Sequence, residues 1–125
     1  KIGGFEFVGL GGSNPTPFNC PNTRSEEEIY SILEPLVDEK TILVSHSPPN
    51  NTKADEIMPG VHIGSFSVRK IVEKKKPLAV ICGHAHEAPA GVYKLGKTRI
   101  VKTPCFRDTL QALELELPSF SYKIV

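Results

Sequence analysis

The chain has 125 residues, of which 39% are hydrophobic and 23% are charged. This size and composition are typical of one globular domain, residues 1–125, and exclude a disordered chain. Its 15 basic and 14 acidic side chains give a net charge of +1, which excludes the large basic surface that nucleic acids and anionic membranes attract.

The sequence shows no membrane segment and no secretion signal. No apolar run approaches the roughly 20 residues that cross a bilayer. The first ten residues, KIGGFEFVGL, lack the apolar region and cleavage site of a signal peptide. Cys20, Cys82 and Cys105 are odd in number and lack CxxC spacing, which disfavours a disulfide framework. We therefore expect a soluble, cytoplasmic protein.

The first half of the chain predicts two strands and one helix. FEFVGL, residues 5–10, alternates like a strand, and a proline- and glycine-rich loop follows over residues 11–24. Ser25 and Glu28 form a capping box, so a helix should begin near Ser25 and end or kink at Pro35. TILVSH, residues 41–46, is typical of a strand buried on both faces.

A long polar loop is predicted over residues 47–65, followed by a helix over residues 65–75. Phe66, Val68, Ile71 and Val72 should form the inward face of this helix. The lysines at 74–76 fit a solvated helix end better than a phosphate-binding patch. Further strands are predicted at PLAVIC, GVYKL, TRIVKT, QALELEL and FSYKIV.

Strands that alternate with helices predict an α/β sheet with an appended meander. Ligand sites of such sheets lie beyond the carboxyl ends of the strands. Two polar segments, HSPPNN at 46–51 and GHAH at 83–86, occupy such positions. The sequence therefore predicts a functional site formed by these two segments.

Three of the four histidines lie just after a predicted buried strand: His46, His84 and His86. A lone histidine at a strand end is more often a hydrogen-bonded edge residue than a metal ligand, but three at one sheet edge favour a metal site. On extended backbone, His84 and His86 would project to one face with Cα atoms about 6.7 Å apart. That spacing suits two ions roughly 3.5 to 4 Å apart.

The segments GHAHE, VSHSPP and GLGGSNPTPFN resemble the C-terminal half of a calcineurin-like metallophosphoesterase, close to the small archaeal and bacterial phosphoesterases. The resemblance implies that His46 and His84 bind one divalent ion and His86 the other, as manganese, iron, zinc or nickel. It also implies an α/β/β/α sandwich of mixed sheets with outer helices, and hydrolysis of a small phosphomonoester or phosphodiester.

The motifs of that family's N-terminal half do not occur in the chain. They are Asp-x-His, Gly-Asp with a bridging carboxylate, and Gly-Asn-His with the general acid histidine. TPC at 103–105 also stands where relatives often have Asn-Pro-Gly. The catalytic residues are therefore expected in an absent N-terminal half or in a chain that carries it.

Electrostatics leads to the same expectation. Two dications about 3.5 Å apart repel by about 19 kcal/mol at an effective dielectric constant near 20, and neutral imidazoles cannot offset this repulsion. The chain's own acids are poor candidates: Glu87 should face away, Asp55 and Glu56 lie mid-loop, and Asp108 is expected to be remote.

Two further residues are candidates for substrate contact. His62 precedes the second predicted helix, where phosphate binds readily. Asn14 lies in the loop after the first strand, where the family's loops point into the site. Two other functions stay open: a non-catalytic scaffold of the same fold that binds proteins, and a mononuclear site of the three histidines.

Overall fold

The computed structural model describes residues 1–18 and 21–125. The prediction that Cys20 is unpaired therefore lies outside the described residues. Within them, the helices and strands follow in this order: β1 Glu6–Leu10, α1 Glu26–Leu33, β2 Thr41–Ser45, β3 Glu56–Met58, β4 Val61–His62, α2 Phe66–Lys75, β5 Ala79–Cys82, β6 Gly91–Leu95, β7 Thr98–Lys102, α3 Phe106–Thr109, β8 Leu113–Glu116 and β9 Ser121–Ile124.

The fold is α/β, as predicted, and its main sheet is mixed. The strand order is β1-β2-β5-β7-β6, with β1, β2, β5 and β7 parallel and β6 antiparallel to β7. The parallel strands end at one edge, because Leu10, Ser45, Cys82 and Lys102 lie in register across the sheet. This edge carries the loops that form the candidate site.

The two main helices begin at the residues that the sequence indicates. Ser25 Oγ accepts a hydrogen bond from Glu28 N at 3.1 Å, and Ser65 Oγ accepts one from Val68 N at 3.1 Å. These caps satisfy backbone donors that the first helical turn leaves free. No described helix combines the length and the apolar character that a membrane crossing requires.

One face of the main sheet packs against α1 and α2. Burial of each large aliphatic side chain there stabilises the fold by about 1.5–3 kcal/mol. Phe66 does not join this core, contrary to the prediction, because it lies in the first turn of α2 and is exposed. The core includes Ile29 and Leu33 from α1, Val68, Ile71 and Val72 from α2, and Leu43, Val80 and Ile100 from the sheet.

The opposite face of the sheet is only partly covered. Phe120, in the turn between β8 and β9, packs on Ile42 and Ala79. Farther along the face, Phe7 is 36% exposed and Val44 is 42% exposed. The prediction that β2 is buried on both faces is therefore wrong at Val44, because no described element covers that part of the sheet.

Three irregular regions differ from the sequence prediction. The predicted loop at 47–65 contains a short antiparallel hairpin of β3 and β4. The predicted run of strands is interrupted by α3. The predicted meander is divided, since β6 and β7 join the main sheet while β8 and β9 pair separately. Backbone pairing between distant segments determines these features, and local composition does not reveal it.

Candidate metal centre

The carboxyl ends of β2 and β5 bring the three predicted histidine ligands to one cavity. His46 directly follows β2, and His84 and His86 lie in the loop after β5. Gly83 N donates a hydrogen bond to His46 O at 3.1 Å, which ties the two loops together. The open cavity has a volume of about 630 Å³ and is lined by His46, His84, His86, Gly12, Ser13, Phe18, Pro21, Asn22, Ile63, Glu87 and Arg107.

His46 and His84 are in direct contact. His46 Nε2 lies 3.0 Å from His84 Nδ1, and the ring centroids are 4.8 Å apart with planes at 63°. Two nitrogens at this separation could both reach one ion at about 2.0–2.1 Å, with an angle of roughly 90° at the ion. His84 Nε2 is also buried without a hydrogen-bond partner in the described part of the chain.

Both rings of this pair favour the neutral form that binds metal. Burial lowers the pKa of His46, and the nearby His86 lowers it further. Burial also lowers the pKa of His84 to about 4, with contributions from His46, His86 and Lys102. A neutral imidazole has a free lone pair, so neither ring needs to lose a proton to bind a cation at neutral pH.

The backbone at His84 is in the left-handed region, with φ of +64°. Ala85 N donates a hydrogen bond to Gly83 O at 2.8 Å, so a tight turn is centred on His84. The assumption that His84 and His86 lie on extended backbone is therefore wrong. The turn, and not strand alternation, brings both rings to the cavity. A non-glycine residue at such a φ costs of order 1 kcal/mol.

His86 lies beside two residues that the sequence analysis did not assign to the site. His86 Nδ1 is 3.4 Å from Asp108 Oδ2, and ligand atoms of His86, Cys105 and Asp108 all lie within 4.8 Å of one another. The expectation that Asp108 is remote is wrong. β7 runs parallel to β5, so α3, which follows β7, begins at the same sheet edge as the histidines.

Asp108 is an ionised carboxylate in this arrangement. Hydrogen bonds from Arg107 and then from Cys105 lower the pKa of Asp108, and the charges of Arg107 and His86 lower it further. Its Oδ1 accepts from Arg107 Nε at 3.0 Å, while Oδ2 faces His86. Cys105 and Asp108 lie three residues apart just after a predicted strand, and this spacing is the sequence signal that could have placed both side chains on one side of a turn.

Asn14 lies next to the cavity and not at its surface. Its side chain is buried, and Nδ2 donates to Ile63 O at 3.1 Å and to Pro15 O at 3.3 Å. Asn14 Oδ1 is buried without a hydrogen-bond partner among the described residues. Its neighbours Ser13 and Ile63 line the cavity, so substrate contact by Asn14 stays a prediction.

The structure places His62 in a different cluster. His62 Nδ1 lies 2.6 Å from Asp55 Oδ1, and Nε2 lies 3.3 Å from Glu56 Oε2. Both ring nitrogens therefore contact carboxylates of the β3–β4 hairpin and the residue before it. His62 is not among the described residues that line the cavity, and its contact with substrate is untested.

Lys102 is a buried cation that the sequence analysis did not single out. It ends β7 at 1% exposure, and Nζ donates a hydrogen bond to Thr103 O at 2.8 Å. Burial lowers the pKa of Lys102, although the nearby Cys82, Cys105 and Glu87 act in the opposite direction. Its charge adds to the electrostatic field that keeps His84 neutral.

Comparisons with known proteins confirm the fold without assigning a family. No model of a known protein family matches the chain. The chain is 46% identical over 107 residues to the uncharacterized protein MJ1162 of Methanocaldococcus jannaschii, with 81% of this chain and 49% of that protein covered. This chain thus spans about half the length of that relative.

Two solved structures share the fold. One has a TM-score of 0.76 and 23% identity, and the match covers all of this chain and 50% of the other. The second, TT1561 of Thermus thermophilus, has a TM-score of 0.59 and 17% identity, covering 95% of this chain and 52% of the other. The chain therefore has an α/β fold that forms about half of longer solved chains.

Proposed function

We propose that this chain supplies the histidine ligands of a divalent-metal centre that hydrolyses phosphoesters, either monoesters or diesters. His46 and His84 hold one ion, and His86 holds a second. The observation that carries the proposal is the 3.0 Å contact between His46 Nε2 and His84 Nδ1 at a cavity that His86 also lines. The resemblance of GHAHE and VSHSPP to metallophosphoesterases indicates the reaction.

Bound divalent ions would supply an acidified water and positive charge for the phosphoryl oxygens. The chain's own residues have different roles. Neutral His46 and His84 offer ring nitrogens to a cation. Arg107 lines the cavity and presents a permanent cation to an anionic phosphate group. Phe18, also in the lining, offers an apolar surface to the leaving group.

The acidic groups of a two-ion centre are only partly present in the described residues. Asp108 adjoins His86, and Glu87 lines the cavity, contrary to the expectation that Glu87 faces away. The pair of His46 and His84 has no carboxylate within the contacts described. We assign the bridging carboxylate and the general acid histidine to a further segment of the protein or to a partner chain. The double length of the relative MJ1162 supports this assignment.

The test is hydrolysis by the longer protein loaded in turn with manganese, iron, zinc and nickel. p-Nitrophenyl phosphate reports monoesterase activity, and bis-p-nitrophenyl phosphate reports diesterase activity. His46→Ala and His84→Ala should each lower turnover at least 100-fold and remove one of the two bound ions. Lys97→Ala, in the exposed turn at the opposite end of the sheet, is the control that should retain both.

The proposal fails if no metal supports hydrolysis of either ester, or if His84→Ala hydrolyses as fast as the parent. Metal analysis of the same samples separates the alternatives. A non-catalytic scaffold, which the exposed Phe7 and Val44 favour as a protein-binding surface, needs no stoichiometric metal. A mononuclear site of His46, His84 and His86 predicts one ion per chain, whereas the dinuclear centre predicts two.

A further inference from the structure

The arrangement around His86 differs in chemistry from the pair of His46 and His84. His86 is accompanied by a thiol and a carboxylate, from Cys105 and Asp108, and their ligand atoms lie within 4.8 Å of one another. We propose that His86, Cys105 and Asp108 form a thiolate-containing site for one zinc-like divalent ion at the α3 end of the cavity.

The geometry of the three residues suits one ion. Ligand atoms that surround zinc tetrahedrally at 2.0–2.3 Å are separated by about 3.4 to 3.6 Å. His86 Nδ1 and Asp108 Oδ2 are already 3.4 Å apart. The largest separation in the group, at most 4.8 Å, would need to close by about 1 Å, which a side-chain rotation about Cβ can provide.

The backbone brings these residues together independently of any ion. Cys105 and Asp108 lie three residues apart on one turn, where Asp108 N and Thr109 N donate hydrogen bonds to Cys105 O at 3.1 and 3.0 Å. Residues with this spacing share a helix face. The same turn adjoins the His86 loop because β7 and β5 are parallel neighbours.

The charges of this group suit a dication. A Cys105 thiolate and the Asp108 carboxylate together carry two negative charges, whereas three neutral imidazoles carry none. Binding through sulfur releases the thiol proton to solvent, so a divalent ion with these ligands is electrically neutral. Arg107 Nε donates its hydrogen bond to Oδ1 of Asp108, and Oδ2 faces His86, where the ion would bind.

The identity of the ligands indicates the class of metal. A thiolate is a soft ligand that selects zinc, iron or copper(I) over magnesium and calcium. One nitrogen, one sulfur and one oxygen leave a fourth tetrahedral position for water or substrate, as in catalytic zinc sites. This inference rests on the proposed function only in taking His86 as a metal ligand, and it does not require hydrolysis.

The test uses cobalt(II) as a spectroscopic substitute for zinc in the purified protein. Coordination by sulfur produces a near-ultraviolet charge-transfer band that histidine and carboxylate ligands do not produce. The band should appear in the parent protein and disappear in Cys105→Ser. Asp108→Asn should weaken the cobalt binding that produces the band by about tenfold or more, because the ligand set loses one negative charge.

Two control variants test whether the sulfur band comes from Cys105. Cys82→Ala should retain the band, because Cys82 is buried in the core and away from the cavity lining. His46→Ala should retain it as well, since His46 belongs to the other histidine pair. Zinc-edge X-ray absorption adds a second measurement and should show a sulfur contribution at about 2.3 Å in the parent and none in Cys105→Ser.

Three results would overturn the inference: no cobalt binding, cobalt binding without a sulfur band, or a band that survives Cys105→Ser. If cobalt binds without a sulfur band and His84→Ala no longer binds cobalt, the proposed function is still supported although this inference is not. Conversely, an intact sulfur band in a protein that hydrolyses no phosphoester would refute the proposed function alone. Circular dichroism of each variant confirms that the fold is retained.

Discussion

Asp55 is the residue whose replacement should cost the most stability outside the hydrophobic core. It is fully buried, and its carboxylate connects the loop after β2 to the start of α2. Thr52 N donates to Oδ1 at 2.9 Å, and Asn51 N and Gly64 N donate to Oδ2 at 3.1 and 2.9 Å. His62 Nδ1 lies 2.6 Å from Oδ1.

Asp55→Ala removes the acceptor from three backbone N–H groups at once. An unsatisfied buried donor costs about 1–3 kcal/mol, so three fully buried donors would cost about 3–9 kcal/mol. Because the hydrogen bonds of Asn51 N and Thr52 N are only partly buried, we expect a loss of about 4–6 kcal/mol in the free energy of unfolding. Whole domains are stable by about 5–15 kcal/mol, so this loss approaches the total. Asp55→Asn should lose less, about 2–3 kcal/mol, because one carbonyl oxygen remains to accept hydrogen bonds.

Urea unfolding followed by circular dichroism measures these differences. Asp38→Ala is the matched control, since the carboxylate of Asp38 accepts hydrogen bonds from Lys40 N and Thr41 Oγ near the surface. The free energy of unfolding should fall by about 1 kcal/mol in Asp38→Ala. If Asp55→Ala folds with about the same stability as Asp38→Ala, the reasoning from buried donors is wrong. If Asp55→Ala does not fold, Asp55→Asn provides the measurable comparison.

Three other expectations concern single side chains. Burial raises the pKa of Cys82 to about 12, so at pH 8 its thiol should react with a disulfide reagent about 10³-fold more slowly than an ordinary thiol. It should also react more slowly than the partly exposed Cys105, and equal rates for the two cysteines would contradict the burial of Cys82. In metal-free protein, NMR should show His84 titrating near its pKa of about 4, and a titration midpoint near 6.5 would refute this. Because the unfolded state takes up the proton near pH 6.5, the free energy of unfolding should fall as the pH drops from 6.5 towards 4. Leu43→Ala should cost about 2–5 kcal/mol, whereas Val44→Ala, on the exposed face of the same strand, should cost under about 1 kcal/mol; similar losses in urea unfolding would show that both faces are covered.

The helices and central strands were predictable because local signals specify them. Ser25 and Ser65 cap the two main helices, and the apolar runs at 41–46 and 77–82 contain β2 and β5. The position of His46, His84 and His86 at one edge followed from the rule that parallel strands end together. That part of the candidate site required only the order of the elements.

The surroundings of His86 were not predictable from local signals. Residues 98–103 have the composition of a strand, but the composition does not indicate whether that strand runs parallel to β5 or belongs to an appended meander. Only the pairing of β7 with β5 shows that Cys105 and Asp108 follow at the site edge. The hairpin of β3 and β4 was not predictable for a similar reason. Its two strands are very short, and Pro59 and Gly60 between them are typical of a loop.

The left-handed turn at His84 has a consequence for protein engineering. Glycine adopts a positive φ without the steric cost that a larger residue incurs, and position 84 has a φ of +64°. His84→Gly would relax the backbone and remove the ring that contacts His46. A thermostability screen that ignores metal content would select this change, so thermally improved variants require elemental analysis.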